Sequence, residues 1–130
     1  MTIANRLATA NVNAYRQLSV ETEASSASPH RLIGMMLRGA RDKIQTAKGN
    51  LDNGDVAAKC SNISLAISIV AGLKGSLNLD AGGDIARNLD DLYEYMIRAL
   101  TLANLDNDRA QLEAVDGLLR EIQEAWQAIA

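Results

Sequence analysis

The feature that most constrains this chain is the spacing of its apolar residues, which steps by four and three through four successive stretches. Ile33, Leu37, Ala40, Ile44, Ala47 and Leu51 form the first run, and Val56, Cys60, Ile63, Ile67 and Val70 the second. Ile85, Leu89, Leu92, Met96, Ala99 and Ala103 form the third, and Leu112, Val115, Leu119, Ile122, Trp126 and Ile129 the fourth. A turn of 3.6 residues brings such positions onto one face, so each run predicts an amphipathic helix. The expected helices cover 29–50, 55–77, 84–104 and 108–129, each about 33 Å long at 1.5 Å per residue. Short connections force successive helices antiparallel, and a seam of this period favours left-handed crossing. The expected fold is all-α: an antiparallel up-down-up-down four-helix bundle over 28–130, preceded by an arm over 1–27. The arm, rich in Ser, Thr, Ala and Asn, is expected to be flexible or short-helical. Ile3, Leu7, Ala14 and Leu18 align on a weak helix, and ETEASSAS from Glu21 to Ser28 reads as a linker.

Three acidic clusters separate the runs: NLDNGD from Asn50, NLDAGGD from Asn78 and NLDND from Asn104. Each ends in an aspartate just before an apolar-periodic run, at Asp55, Asp84 and Asp108. That is the N-cap position, where a carboxylate accepts from a free backbone N–H and meets the positive end of the helix dipole. Gln111 stands three residues after Asp108, the spacing of a capping box. A calcium loop of the EF-hand type needs D-x-[DN]-x-[DN]-G and a later glutamate, which none of the three supplies. The clusters are therefore expected to be corners, not metal sites. Ser28 and Pro29 start the first helix by the same rules, as cap and first helical residue.

Composition narrows the function. A net charge of −3 with no basic run lacks the electrostatic footprint of a nucleic-acid binder. No apolar run is expected to approach the length needed to span a bilayer, and Met1 to Ala10 lacks the pattern of a signal peptide. A cytoplasmic location is the expectation, and the single Cys60 agrees with a reducing compartment. A di-iron bundle needs Glu-x-x-His twice, whereas the chain has one histidine, His30. No catalytic residue, metal or cofactor is assigned, and no enzyme is expected. The remaining charges fit i,i+4 pairs along helix faces: Arg38 with Asp42, Arg87 with Asp91, Glu94 with Arg98, Arg109 with Glu113 and Arg120 with Glu124.

The informative excess is apolar. On the second helix Ile63, Ile67 and Val70 form one stripe, and Leu65, Ile69 and Leu73 lie around the barrel from it. Together they span an arc of about 240°, where a core-facing helix needs somewhat over 100°. The expected division makes Ile63 and Ile67 core and Leu65, Ile69 and Leu73 a contact face. That face is covered by the N-terminal arm, by a second copy of the bundle, or by a foreign helix. An arm tethered beside an exposed groove would fill it until a competing peptide displaced it. Tyr93 and Tyr95 are two positions apart on one helix and cannot both face the core; one belongs inside and one at the surface.

The runs AYRQ (14–17), VET (20–22), SASPHRLI (26–33), GGDIARNLDDLYEYMIRAL (82–100), the pair Ala103 and Asn104, and EAW (124–126) together resemble the flagellin export chaperone family, FliS. The resemblance runs from Val12 to Trp126 in consistent order. It implies a helical bundle in the bacterial cytoplasm that binds the disordered C-terminal segment of flagellin, prevents premature polymerisation and delivers it to the type III export gate, without a cofactor. The family's apolar residue three places before a tyrosine falls on Val12 and Tyr15, in the arm expected to cap the groove. The chain departs from the family pattern at Leu37 and Arg38, where an aromatic and an acid usually stand, and at Ala99, where a second arginine often follows. The rival expectation is a structural four-helix bundle whose extra apolar surface makes a homodimer.

Overall fold

The structure, a computed structural model, describes residues 28–129. It holds four helices and, among the described residues, no strand: α1 (Pro29–Asp52), α2 (Val56–Gly75), α3 (Leu79–Asp106) and α4 (Arg109–Ala128). Pairs between α1 and α4 run in opposite senses, His30 against Trp126, Arg41 against Asp116 and Asp52 against Arg109. Between α2 and α3 the same holds for Lys59 with Asn104 and Lys74 with Asp90. The helices are thus antiparallel neighbours, and α1 closes the ring against α4. The expected four-helix bundle is what forms.

Local chemistry explains the ends. The Ser28 hydroxyl accepts from the Arg31 N–H at 3.2 Å, Asp55 from Ala58 at 3.1 Å and Asp108 from Gln111 at 3.1 Å. Each satisfies an amide that the first helical turn leaves without a partner. The second cluster differs from expectation. Asn78, not Asp84, caps α3, accepting from the Ala81 N–H at 3.0 Å. A short helical segment from Leu79 follows, and Gly83, at φ 56° and ψ −136°, breaks it before the long part of the helix begins. That backbone conformation is open to glycine and strained for other residues. Asp84 then stands at the surface with its carboxylate against the Arg87 guanidinium instead of a backbone amide.

The core is one cluster to which all four helices contribute, with Leu37, Ile44, Ile63, Met96, Leu100, Leu112 and Leu119 at its centre. Tyr93 is buried and Tyr95 exposed, as their separation requires. Three positions of the apolar runs are exposed and not core: Val56 and Ile85 at the N-terminal ends of their runs, and Ile129 at the C-terminal end of its own. On α2 the buried arc is wider than expected and rotated, because the helix packs against both α1 and α3. Ile69 and Leu73 are buried with Ile63 and Val70, whereas Ile67 is only partly buried.

α2 is also long and apolar enough, by length and composition, to cross a membrane, which corrects the expectation that no run approaches that length. It carries the buried Lys59 and packs its core-facing side into the bundle.

Charges pair across helices where pairs along one helix were expected. Arg109 meets Asp52 at 2.9 Å rather than Glu113, and Glu113 instead takes Lys48. Arg41 reaches the buried Asp116 through two hydrogen bonds, 2.9 and 3.3 Å long, and Gln123 at 2.7 Å. The carboxylate beside it holds the Arg41 guanidinium above its ordinary pKa. These bonds fix the register of α1 against α4, since sliding either helix by one turn would leave Asp116 buried without a partner.

Candidate functional site

At the end of the bundle where α1 and α3 begin and α2 and α4 end, the helices part around an apolar groove of about 630 Å³. The Gly83 break makes the opening. It turns the Leu79–Gly82 segment away from the long axis of α3, so Ala81, Gly82 and Ile85 line one wall. A Cβ on Gly82 would come within 2.5 Å of the Ala86 Cβ, so the segment lies this close only because residue 82 has no side chain. Ile33 and Ile122 contribute from α1 and α4, and Leu73 and Leu77 from the end of α2.

The opposite wall is pinned by His30 and Trp126. Their rings stack with centroids 4.6 Å apart and planes 11° apart. The Trp126 indole N–H donates to the His30 carbonyl at 2.8 Å, and His30 Nε2 lies 2.9 Å from the Trp126 carbonyl, which fixes the proton on that nitrogen. A large amphipathic ring that lines the groove with its polar atom satisfied and one face stacked on His30 is a rigid contact surface. Tyr93 lies deeper, and burial pushes its phenol pKa up to about 12, so the hydroxyl stays neutral at physiological pH. None of the groove's lining residues carries an acid or an amine. Ile85, 75% exposed, stands at the rim with most of its side chain in solvent.

The residues expected from the sequence do not form one face. Leu65 is exposed on the outer side of α2, in a shallow depression with Ser61, Ser64 and Ser68, away from the groove. Ile69 is 6% exposed and belongs to the core, and Leu73 is 1% exposed at the groove floor. The cause is the number of neighbours: a helix flanked on two sides buries about half its circumference. Val12 and Tyr15 lie outside the described residues. Sequence reasoning missed Ile85, read as core, and His30, read without a role. Gly82-Gly83, with only Asp84 between the pair and Ile85, is the signal that the run cannot enter the core there.

Among the described residues no three of His, Cys, Asp or Glu converge as metal ligands would. The site is thus an uncharged apolar groove open at one end of an α-helical bundle. The family model for the flagellar protein FliS matches residues 11–130. A Flagellar secretion chaperone FliS of Salmonella typhimurium is 49% identical over 120 residues, covering 92% of this chain and 89% of that one. The Vibrio cholerae protein of the same name is 36% identical over 119 residues, covering 92% and 88%. Flagellar secretion chaperone FliSB of Pseudomonas aeruginosa is 40% identical over 116 residues, covering 89% and 92%. The chain belongs to the FliS family of flagellar secretion chaperones, which are not enzymes.

Proposed function

We propose that this protein binds the disordered C-terminal segment of flagellin in the cytoplasm, keeps it from polymerising and assists its delivery to the flagellar type III export apparatus. The observation that carries this reading is the apolar groove walled by Trp126 and Ile85 in a chain of the flagellar secretion chaperone family. A segment that cannot bury its own apolar stripes gains helical structure by laying them in such a groove. The ordering entropy offsets part of the contact energy, so binding stays reversible, as a carrier that must release its cargo requires.

The same reading assigns the arm over 1–27 to the groove in the free protein, with Val12 and Tyr15 as the capping residues. Pro29, two residues after the arm, lines the groove. The stretch from Tyr15 to Ser28 spans up to about 45 Å when extended, ample to fold back. Leu73 belongs to the contact surface as its floor, while Leu65 and Ile69 take no part in this groove.

Light scattering of the full chain, alone and with a flagellin C-terminal peptide, tests the reading. A monomer that forms a one-to-one complex is the expected result. A homodimer that the peptide neither dissociates nor joins would favour the structural bundle instead.

A further inference from the structure

Lys59 sits at the other end of the α2–α3 seam, and its surroundings are unlike those of the bundle's paired lysines. It is 2% exposed and lines a depression of about 480 Å³ between the start of α2 and the end of α3. Its Nζ donates to the Asn104 carbonyl at 2.7 Å and to Asn104 Oδ1 at 2.9 Å. Neither acceptor carries a full charge, although the Asn104 carbonyl lies at the negative end of the α3 dipole, and an ammonium has three N–H groups. Lys48 and Lys74 each pair with a carboxylate, on Glu113 and Asp90, whereas among the described residues none pairs with Lys59. A buried cation without a counter-ion is costly, and a ligand anion removes that cost. No acid lines the depression itself; Asp55 and Asp106 adjoin its lining residues Val56 and Leu105 in sequence and are exposed to solvent. Its rim is apolar and open: Val56 is 52% and Leu105 79% exposed. One ammonium beside two aliphatic side chains matches a single carboxylate carried by an apolar peptide. A phosphate, with nearly two charges and three acceptor oxygens, would want the several donors of an arginine cluster.

We propose that this pocket is a carboxylate-binding site for the polypeptide the chaperone carries, with the carboxylate on Lys59 and a neighbouring aliphatic side chain against Val56 and Leu105. Asn104, part of the sequence resemblance but absent from the groove, thereby gains a role: it holds the lysine in place without neutralising it. The carboxylate is either the peptide's terminal one or an acidic side chain. The proposal rests on the flagellin-binding reading for its ligand but not for its chemistry, and the test separates the two.

Calorimetric titration of the full chain uses a flagellin C-terminal segment in three forms: unmodified, amidated at its C-terminus, and with its acidic side chains changed to amides. One of the two altered forms should bind the parent at least tenfold more weakly, which names the source of the carboxylate. In Lys59→Met the forms should agree within twofold. Asn104→Asp supplies an internal counter-ion, so it should fold at least as well as the parent and equally lose the discrimination. Equal binding of all three forms to the parent, or full discrimination retained in both variants, would overturn the proposal. A segment that does not bind the parent at all would instead sink the flagellin reading. The pocket is then decided by amide NMR titration with N-acetyl-leucine and N-acetyl-leucinamide. Shifts over 56–60 and 101–107 with the acid alone support it, and no difference between the two refutes it.

Discussion

Replacing Ile85 by alanine should separate binding from stability, because the side chain is 75% exposed yet lines the groove. Fully burying an aliphatic side chain contributes roughly 1.5 to 3 kcal/mol. With about a quarter of that burial present in the free protein, Ile85→Ala should lower stability by only about 0.4 to 0.8 kcal/mol. An occupant that covers the remaining three quarters would lose about 1.1 to 2.3 kcal/mol, a drop in affinity of about 6- to 45-fold. Ile63, at 0% exposure in the core, is the contrast. Truncating it leaves a cavity and should cost about 2 to 5 kcal/mol. Ile69→Ala belongs with Ile63→Ala, since it too is buried. Urea unfolding and calorimetric titration with a flagellin C-terminal peptide, run on the parent and on Ile85→Ala and Ile63→Ala, give both quantities. The reasoning fails if Ile85→Ala unfolds as early as Ile63→Ala, or if it binds the peptide like the parent.

Gly83→Ala forces a side chain into a backbone conformation at φ 56°, and should cost about 1 to 3 kcal/mol in urea unfolding while weakening peptide binding through the displaced groove wall. Unchanged stability would show that the break is not a glycine conformation. Asp108→Ala removes a working cap and should cost about 0.5 to 2 kcal/mol, whereas Asp84→Ala, whose carboxylate holds only Arg87, should cost less than about 0.5 kcal/mol; equal losses in thermal unfolding would contradict this. Tyr93 loses its proton at about 12 when folded against an ordinary 10.0, so the native state holds that proton longer. Its contribution to stability is whole below pH 10 and is lost as pH rises towards about 12. The tyrosinate absorbance difference between parent and Tyr93→Phe should show the late midpoint, and a midpoint near 10.0 would refute the burial.

Features set by one helix and its own residues are legible in the sequence. The four-and-three spacing predicts every helix, and Ser28, Asp55 and Asp108 are recognisable as caps because capping involves residues three apart. Asp84 misleads because Asn78 caps an earlier turn, and only the geometry of Gly83 shows where that turn stops. Features set by how helices lie against each other are not legible there. Arg109 has Glu113 one turn along its own helix, yet Asp52 wins once α1 and α4 are in register. Leu65, Ile69 and Leu73 share one flank of α2 in the sequence, but a second neighbouring helix takes two of them into the core. The His30–Trp126 stack joins residues ninety-six apart, so neither local spacing nor periodicity points to it.

The central claim, that the groove at this end of the bundle receives the polypeptide, is tested most directly by the chain's single tryptophan. Trp126 lines the groove with its indole N–H already bonded, so an occupant changes the solvent around the ring and not its hydrogen bond. Titrating a tryptophan-free flagellin C-terminal segment should shift Trp126 emission to shorter wavelength and saturate at one-to-one, at the same affinity that calorimetry gives. Tight binding by calorimetry with Trp126 emission unchanged would place the polypeptide elsewhere on the bundle.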